Sequence, residues 1–218
     1  MEEKLRSDHA SGDAFFVDSF ECVDAFLVML GQCEDNVWSQ VWERNSSLLI
    51  SFTDDVDMEC CGYEMQTEDE RCLDEMIIRT VRLSDGVFDR RVTHVVTCAS
   101  SDQSVLSLVR ESSEIIRKCG AAGPVILSSA DLDPVIVWMS LITMSRQMMR
   151  TGDVNLSHYT RYLASHALLL SSPTLYSHLH DMLAWALEHH QLDYCQPNIR
   201  YLSTISSIYL ISLFSRFI

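Results

Sequence analysis

Glycine and proline are scarce, at 7 and 4 in 218 residues. An all-β chain needs frequent turns, so this shortage argues against a sandwich or a barrel and favours helices. Basic residues are scarce too: 16 Lys and Arg stand against 31 Asp and Glu, a formal charge of -15. The imbalance sits at the front, where residues 1–75 hold 20 acidic and 4 basic side chains and the remainder nets +1. Such a front repels phosphate backbones and excludes nucleic acid as a partner. The chain has 8 cysteines but no Cys-x-x-Cys pair, which leaves a zinc site of the usual spacing unsupported. It also lacks a Gly-rich phosphate loop, a Gly-x-Ser-x-Gly elbow and a His-Glu-x-x-His pair. No enzyme, cofactor or metal site is expected. Met1 to Asp13 is polar and acidic, unlike a secretory signal, so a reducing compartment with free thiols is expected.

What the chain does have is apolar content, at 47%, enough for a folded core. In residues 14–33, Phe16, Phe20, Val23, Leu27 and Leu30 recur at steps of three and four, which predicts a helix closed by Gly31. Val37 to Trp42 continues the apolar character. Residues 51–70 are acidic, lack a period and read as an exposed loop. Over 69–92, Leu73, Met76, Thr80, Leu83 and Val87 again step by three or four, predicting a helix interrupted at Gly86. Residues 102–119 form a helix capped by Asp102, and 121–130 form a connection. Asp131 or Asp133 caps the most apolar stretch, 135–149, with Pro134 in its first turn. That stretch is apolar nearly all round and too short for a bilayer, so it reads as a central buried helix. Helices over 154–171 and 174–192 follow, separated by Pro173.

The histidines give no ligand set. His178 and His180 face different sides of a helix, His158 and His166 lie two turns apart, and His189 and His190 close a helix end. Structural or surface roles suit them. Residues 199–218 are uncharged from Tyr201 to Ser215, with Arg200 and Arg216 near the two ends. They suit either a membrane anchor or a last core helix.

One segment carries a more specific pattern: Met76-x-x-x-Thr80-x-x-Leu83-Ser84-Asp85-x-Val87. It resembles the third homology segment of the Bcl-2 family of apoptosis regulators. Met76, Leu83 and Val87 match apolar positions, Ser84 the small residue and Asp85 the acid. Thr80 stands where that family usually has Leu. Downstream, residues 108–120, the apolar stretch 135–149 and residues 176–194 follow in the family's order. Asp131-Leu132-Asp133-Pro134 replaces the family's Asn-Trp-Gly-Arg, so the Arg that pairs with a ligand helix is missing.

The resemblance implies an all-α bundle of seven to eight helices over 1–198, with 199–218 as an apolar tail. It implies a pro-survival regulator of apoptosis, cytoplasmic and at the mitochondrial outer membrane. Its partners would be proteins carrying amphipathic helices, held in a groove lined by Leu108, Val109, Ile115, Ile116, Val135 and Trp138. Its own docking helix would present Met76, Leu83, Asp85 and Val87. The missing Arg favours an alternative, a viral-type inhibitor of innate immune signalling acting through surface contacts. A helical scaffold without a groove is a third reading, and a homodimer stays open.

Overall fold

The computed structural model describes residues 13–19, 25–31, 34–53, 62–98, 101–119, 123–165 and 173–188. Its centre is a seven-stranded mixed sheet, not a helical bundle. In chain order the elements are β1 (Asp13–Val17), β2 (Phe26–Leu30), α1 (Glu34–Glu43), β3 (Leu48–Phe52), β4 (Glu64–Leu73), β5 (Met76–Ser84) and β6 (Asp89–Thr97). Then come α2 (Asp102–Cys119), β7 (Val125–Ser129), α3 (Leu132–Thr151), α4 (Leu156–Ser165) and α5 (Pro173–Glu188). The strand order is β1-β2-β7-β3-β6-β5-β4. The four central strands β2, β7, β3 and β6 run parallel, while β1, β5 and β4 pair antiparallel.

The all-α expectation is therefore overturned, and the reason is visible in the residues. Strands buried on both faces read as continuous apolar runs, without the alternation that marks a one-sided strand. Phe26-Leu-Val-Met-Leu30, Leu48-Leu-Ile-Ser-Phe52 and Val125-Ile-Leu-Ser-Ser129 are such runs. Periodicity alone does not separate a short run of this kind from a buried helix. Alternate residues of the same strands feed two cores. Phe26, Val28, Leu48, Ile50, Val95 and Leu127 pack beneath α2, α3, α4 and α5. Leu27, Met29, Leu49, Val81, Leu83 and Ile126 pack against Val37, Trp38 and Val41 of α1. Among the described residues helices thus cover both faces, four on one and one on the other.

The segment expected as a docking helix, 69–92, is a β-hairpin and the entry to a third strand. Met76 and Ile78 of β5 face the four-helix side, and Val81 and Leu83 face α1. The expected acidic loop at 51–70 contains the end of β3 and most of β4, while 54–61 lie outside the described residues. At the sheet edge, β4 is exposed, carries a register shift between Thr67 and Asp69, and is crossed by the Arg79–Glu70 and Arg91–Glu68 ion pairs. Charges and a bulge are standard protection for an edge strand.

The helices conform more closely to their sequence signals. α2 starts as Ser101 Oγ accepts from the Ser104 amide, one residue before the expected cap, which leaves Asp102 in the first turn. α3 is buried from Val135 to Ser145 and ends at Gly152, whose left-handed backbone lets its N–H reach Met148 O. No helix among the described residues is long and apolar enough to cross a membrane. Residues 199–218, with the anchor-or-core question they pose, lie outside the described residues.

Candidate functional site

In open parallel sheets, ligands bind outside the carboxyl ends of the strands, where neighbouring strands send their chains to opposite faces. Here β2 leads to α1 on one face, and its neighbour β7 leads to α3 on the other. A cleft of about 290 Å³ opens at this point, lined by Gly31, Val37, Trp38, Leu49, Ser51, Phe52, Thr53, His94 and Ser128 to Ala130. The turn after β2 is fixed by Gly31, which has φ 60° and whose N–H donates to Ser129 O at 2.9 Å. The β2 and β7 ends are thereby held together at the mouth.

His94 is the titratable group of this cleft. Its ring is buried, lies edge-on to Trp38 with centroids 5.2 Å apart, and places Nε2 2.9 Å from Ser51 Oγ. Nδ1 is buried with no hydrogen-bond partner. Burial, with the nearby Arg79 charge adding to it, pushes the imidazole pKa down to about 4, so the ring is neutral at physiological pH. A serine beside a histidine invites a nucleophile–base reading. Among the described residues no carboxylate orients Nδ1, and a base of pKa about 4 is far from the pH at which it would have to act. The pair is built as a fixed hydrogen bond.

The loop from β7 into α3 lines the cleft with Ser128, Ser129 and Ala130 and then enters the N-terminus of α3. A helix N-terminus at this position is a ready anion site, and it works best with glycine, free amides and a cation. Ser128-Ser-Ala-Asp-Leu-Asp-Pro134 supplies no Gly, Lys or Arg. Asp131 and Asp133 are exposed there and put two carboxylates on the positive end of α3. Pro134 removes one of the first-turn amides. Asp131 makes no side-chain cap, and its own N–H donates to Ser129 Oγ at 3.1 Å. The loop meets an incoming anion with like charge.

The residues expected to line a helix-binding groove are elsewhere. Leu108, Val109, Ile115, Val135 and Trp138 are buried core residues beneath the sheet, together with Met76, and Ile116 packs against them. Trp138 Nε1 donates to Ser112 Oγ at 3.2 Å, and its ring meets Phe26 edge-on. Leu83 is buried on the opposite face, under α1. Asp85 turns the β5–β6 hairpin, where its carboxylate accepts from the Val87 and Phe88 amides at 2.9 and 2.8 Å. Those two bonds hold its pKa below the usual carboxylate value. Val87 is 79% exposed at the tip. The Asp85 motif is thus a capped turn.

Another depression, of about 230 Å³, is formed by Glu68, Arg82, Asp89, Arg90 and Arg91. Arg82 pairs with Asp89, Arg91 pairs with Glu68, and Arg90 lies over the Trp42 ring with Nη1 2.6 Å from Trp42 O. These partners occupy the charged groups. Cys72 and Cys98 are free and exposed, and no cluster of His, Cys, Asp and Glu that could hold a metal occurs among the described residues.

Compared with known proteins, the chain matches no family model and no curated relative. The cleft residues Ser51, His94 and Ser128 have no motif spacing. They become adjacent only through strand pairing, and the one sequence signal was a polar His inside the β-branched run Val92-Thr-His-Val-Val-Thr97.

Proposed function

We propose that this protein is a non-catalytic binding module whose switch-point cleft recognises an uncharged group on a protein partner. The observation that carries this reading is the pair of exposed carboxylates, Asp131 and Asp133, at the N-terminus of α3. By fold-level analogy, this strand–loop–helix position is where phosphate-handling α/β enzymes cradle their anion. Here the position repels one. The His94–Ser51 pair supports the same reading, because its imidazole is held neutral and has no orienting carboxylate. Among the described residues the cleft therefore combines an architecture suited to phosphate chemistry with neither the cation nor the activated nucleophile that such chemistry needs.

The test is turnover of p-nitrophenyl phosphate and p-nitrophenyl acetate by the full chain, beside Ser51→Ala and Ser128→Ala. All three proteins are expected to match the background rate. Turnover above background that either substitution abolishes would overturn the non-catalytic reading.

A further inference from the structure

Ser51 and Ser128 are register partners on the neighbouring parallel strands β3 and β7. Side chains so placed lie on one face of strands roughly 4.8 Å apart. Both line the cleft and both are half-buried. They sit beneath α1, on the face that carries Leu49 and Ile126. His94 determines how Ser51 can bond. One ring nitrogen of a neutral imidazole carries hydrogen, and an orphaned buried N–H is the rarer and costlier defect. Nδ1 is the buried nitrogen without a partner, so the hydrogen belongs on Nε2, which donates to Ser51 Oγ. With Nε2 donating, the Ser51 hydroxyl keeps its own hydrogen to offer to an acceptor in the cleft. The Ser128 hydroxyl has no side-chain hydrogen bond among the described residues and can accept as well as donate.

We infer that the Ser51 and Ser128 hydroxyls receive one carboxamide side chain, Asn or Gln, carried on a basic segment of a partner protein. This rests on the non-catalytic binding reading above. A carboxamide offers a C=O acceptor to Ser51 and an N–H donor to Ser128, spanning the two hydroxyls. A carboxylate would lack the donor and would face Asp131 and Asp133 with no lining cation. An ammonium group would leave the Ser51 hydroxyl without an acceptor, and among the described residues the lining holds no carboxylate to pair with it. The aromatic and aliphatic walls, Trp38, Phe52, Val37 and Leu49, suit the methylene stem of Gln. Outside the cleft the complementarity reverses. Asp131 and Asp133 are exposed and follow the lining residue Ala130 directly in the chain, so basic flanking residues are favoured there.

The test is fluorescence anisotropy of the full chain with short labelled peptides that share arginine flanks and differ only at a central Gln, Glu or Met. The Gln peptide is expected to bind about ten-fold more tightly than either other peptide. Acidic flanks should abolish binding at low salt. Ser51→Ala and Ser128→Ala should each bring the Gln peptide down to the level of the Met peptide. The comparison among peptides on the unsubstituted chain does not depend on how the variants fold. Equal affinity for the three centres, or no binding at about 1 mM peptide, would overturn the inference. The underlying reading fails separately, by turnover or by saturable phosphate binding, neither of which this peptide comparison measures.

Discussion

The His94 imidazole is buried with Nε2 2.9 Å from Ser51 Oγ and nothing bonded to Nδ1. Its pKa of about 4 lies below the value of about 6.5 for a free histidine, so the unfolded chain binds the extra proton first. Stability should therefore fall as pH drops from about 6.5 to about 4, by roughly 3 kcal/mol at the limit. Above pH 7 this group contributes no slope. His94→Gln keeps a donor for Ser51 but does not titrate. Urea unfolding midpoints measured across this range should fall less steeply in the variant, and parallel curves would show that His94 is not buried neutral.

Trp138 anchors the other core. It is fully buried in α3, packs edge-on to Phe26 of β2 and donates to Ser112 of α2, tying the central helix to the sheet and to its neighbour. Trp138→Ala should cost about 3–5 kcal/mol. Ser112→Ala should cost about 1–3 kcal/mol, because the indole N–H is left buried without an acceptor. Denaturant unfolding gives both values. A near-neutral Trp138→Ala would mean that α3 is not packed as described.

Two glycines with similar backbones should respond differently to alanine. Gly123 has φ 73°, and a Cβ there would lie 2.3 Å from Arg44 O and 2.7 Å from Asn45 O. The turn after α1 would have to move away from the start of β7, and a loss above about 2 kcal/mol is expected. Gly86 has φ 87° in the β5–β6 hairpin, with nothing within 4 Å of a built Cβ. Only the backbone penalty applies there, about 1 kcal/mol. Melting temperatures of the two variants test the difference, and equal shifts would contradict it.

The helices on the four-helix face were legible because their apolar stripes and caps act locally. Pro134 falls in the first turn of α3 as expected, whereas Asp102 lies one residue inside α2 and Pro173, expected between two helices, opens α5. The sheet was not legible. Leu73, Met76, Thr80, Leu83 and Val87 step at helical intervals by coincidence, since Met76 and Leu83 actually feed opposite cores. The β-branched content of Met76-Ile-Ile-Arg-Thr-Val81 and Val92-Thr-His-Val-Val-Thr97 was the better signal. The scarcity of glycine misled for a related reason. Parallel strands joined by helices need few tight turns, so the count excluded a sandwich but not an α/β sheet. The cleft left His94 within a β-branched run as its one signal, because Ser51, His94 and Ser128 meet only across strands distant in sequence.

The central claim is that the cleft beside α3 excludes anions. Its most direct test is calorimetric titration of the full chain with inorganic phosphate, alongside the Asp131→Gly/Asp133→Gly double variant. The unsubstituted chain is expected to show no saturable binding up to about 10 mM phosphate, and the double variant a weak millimolar site once the two like charges beside the α3 N-terminus are removed. Saturable binding to the unsubstituted chain, unchanged by removing the two carboxylates, would contradict the account.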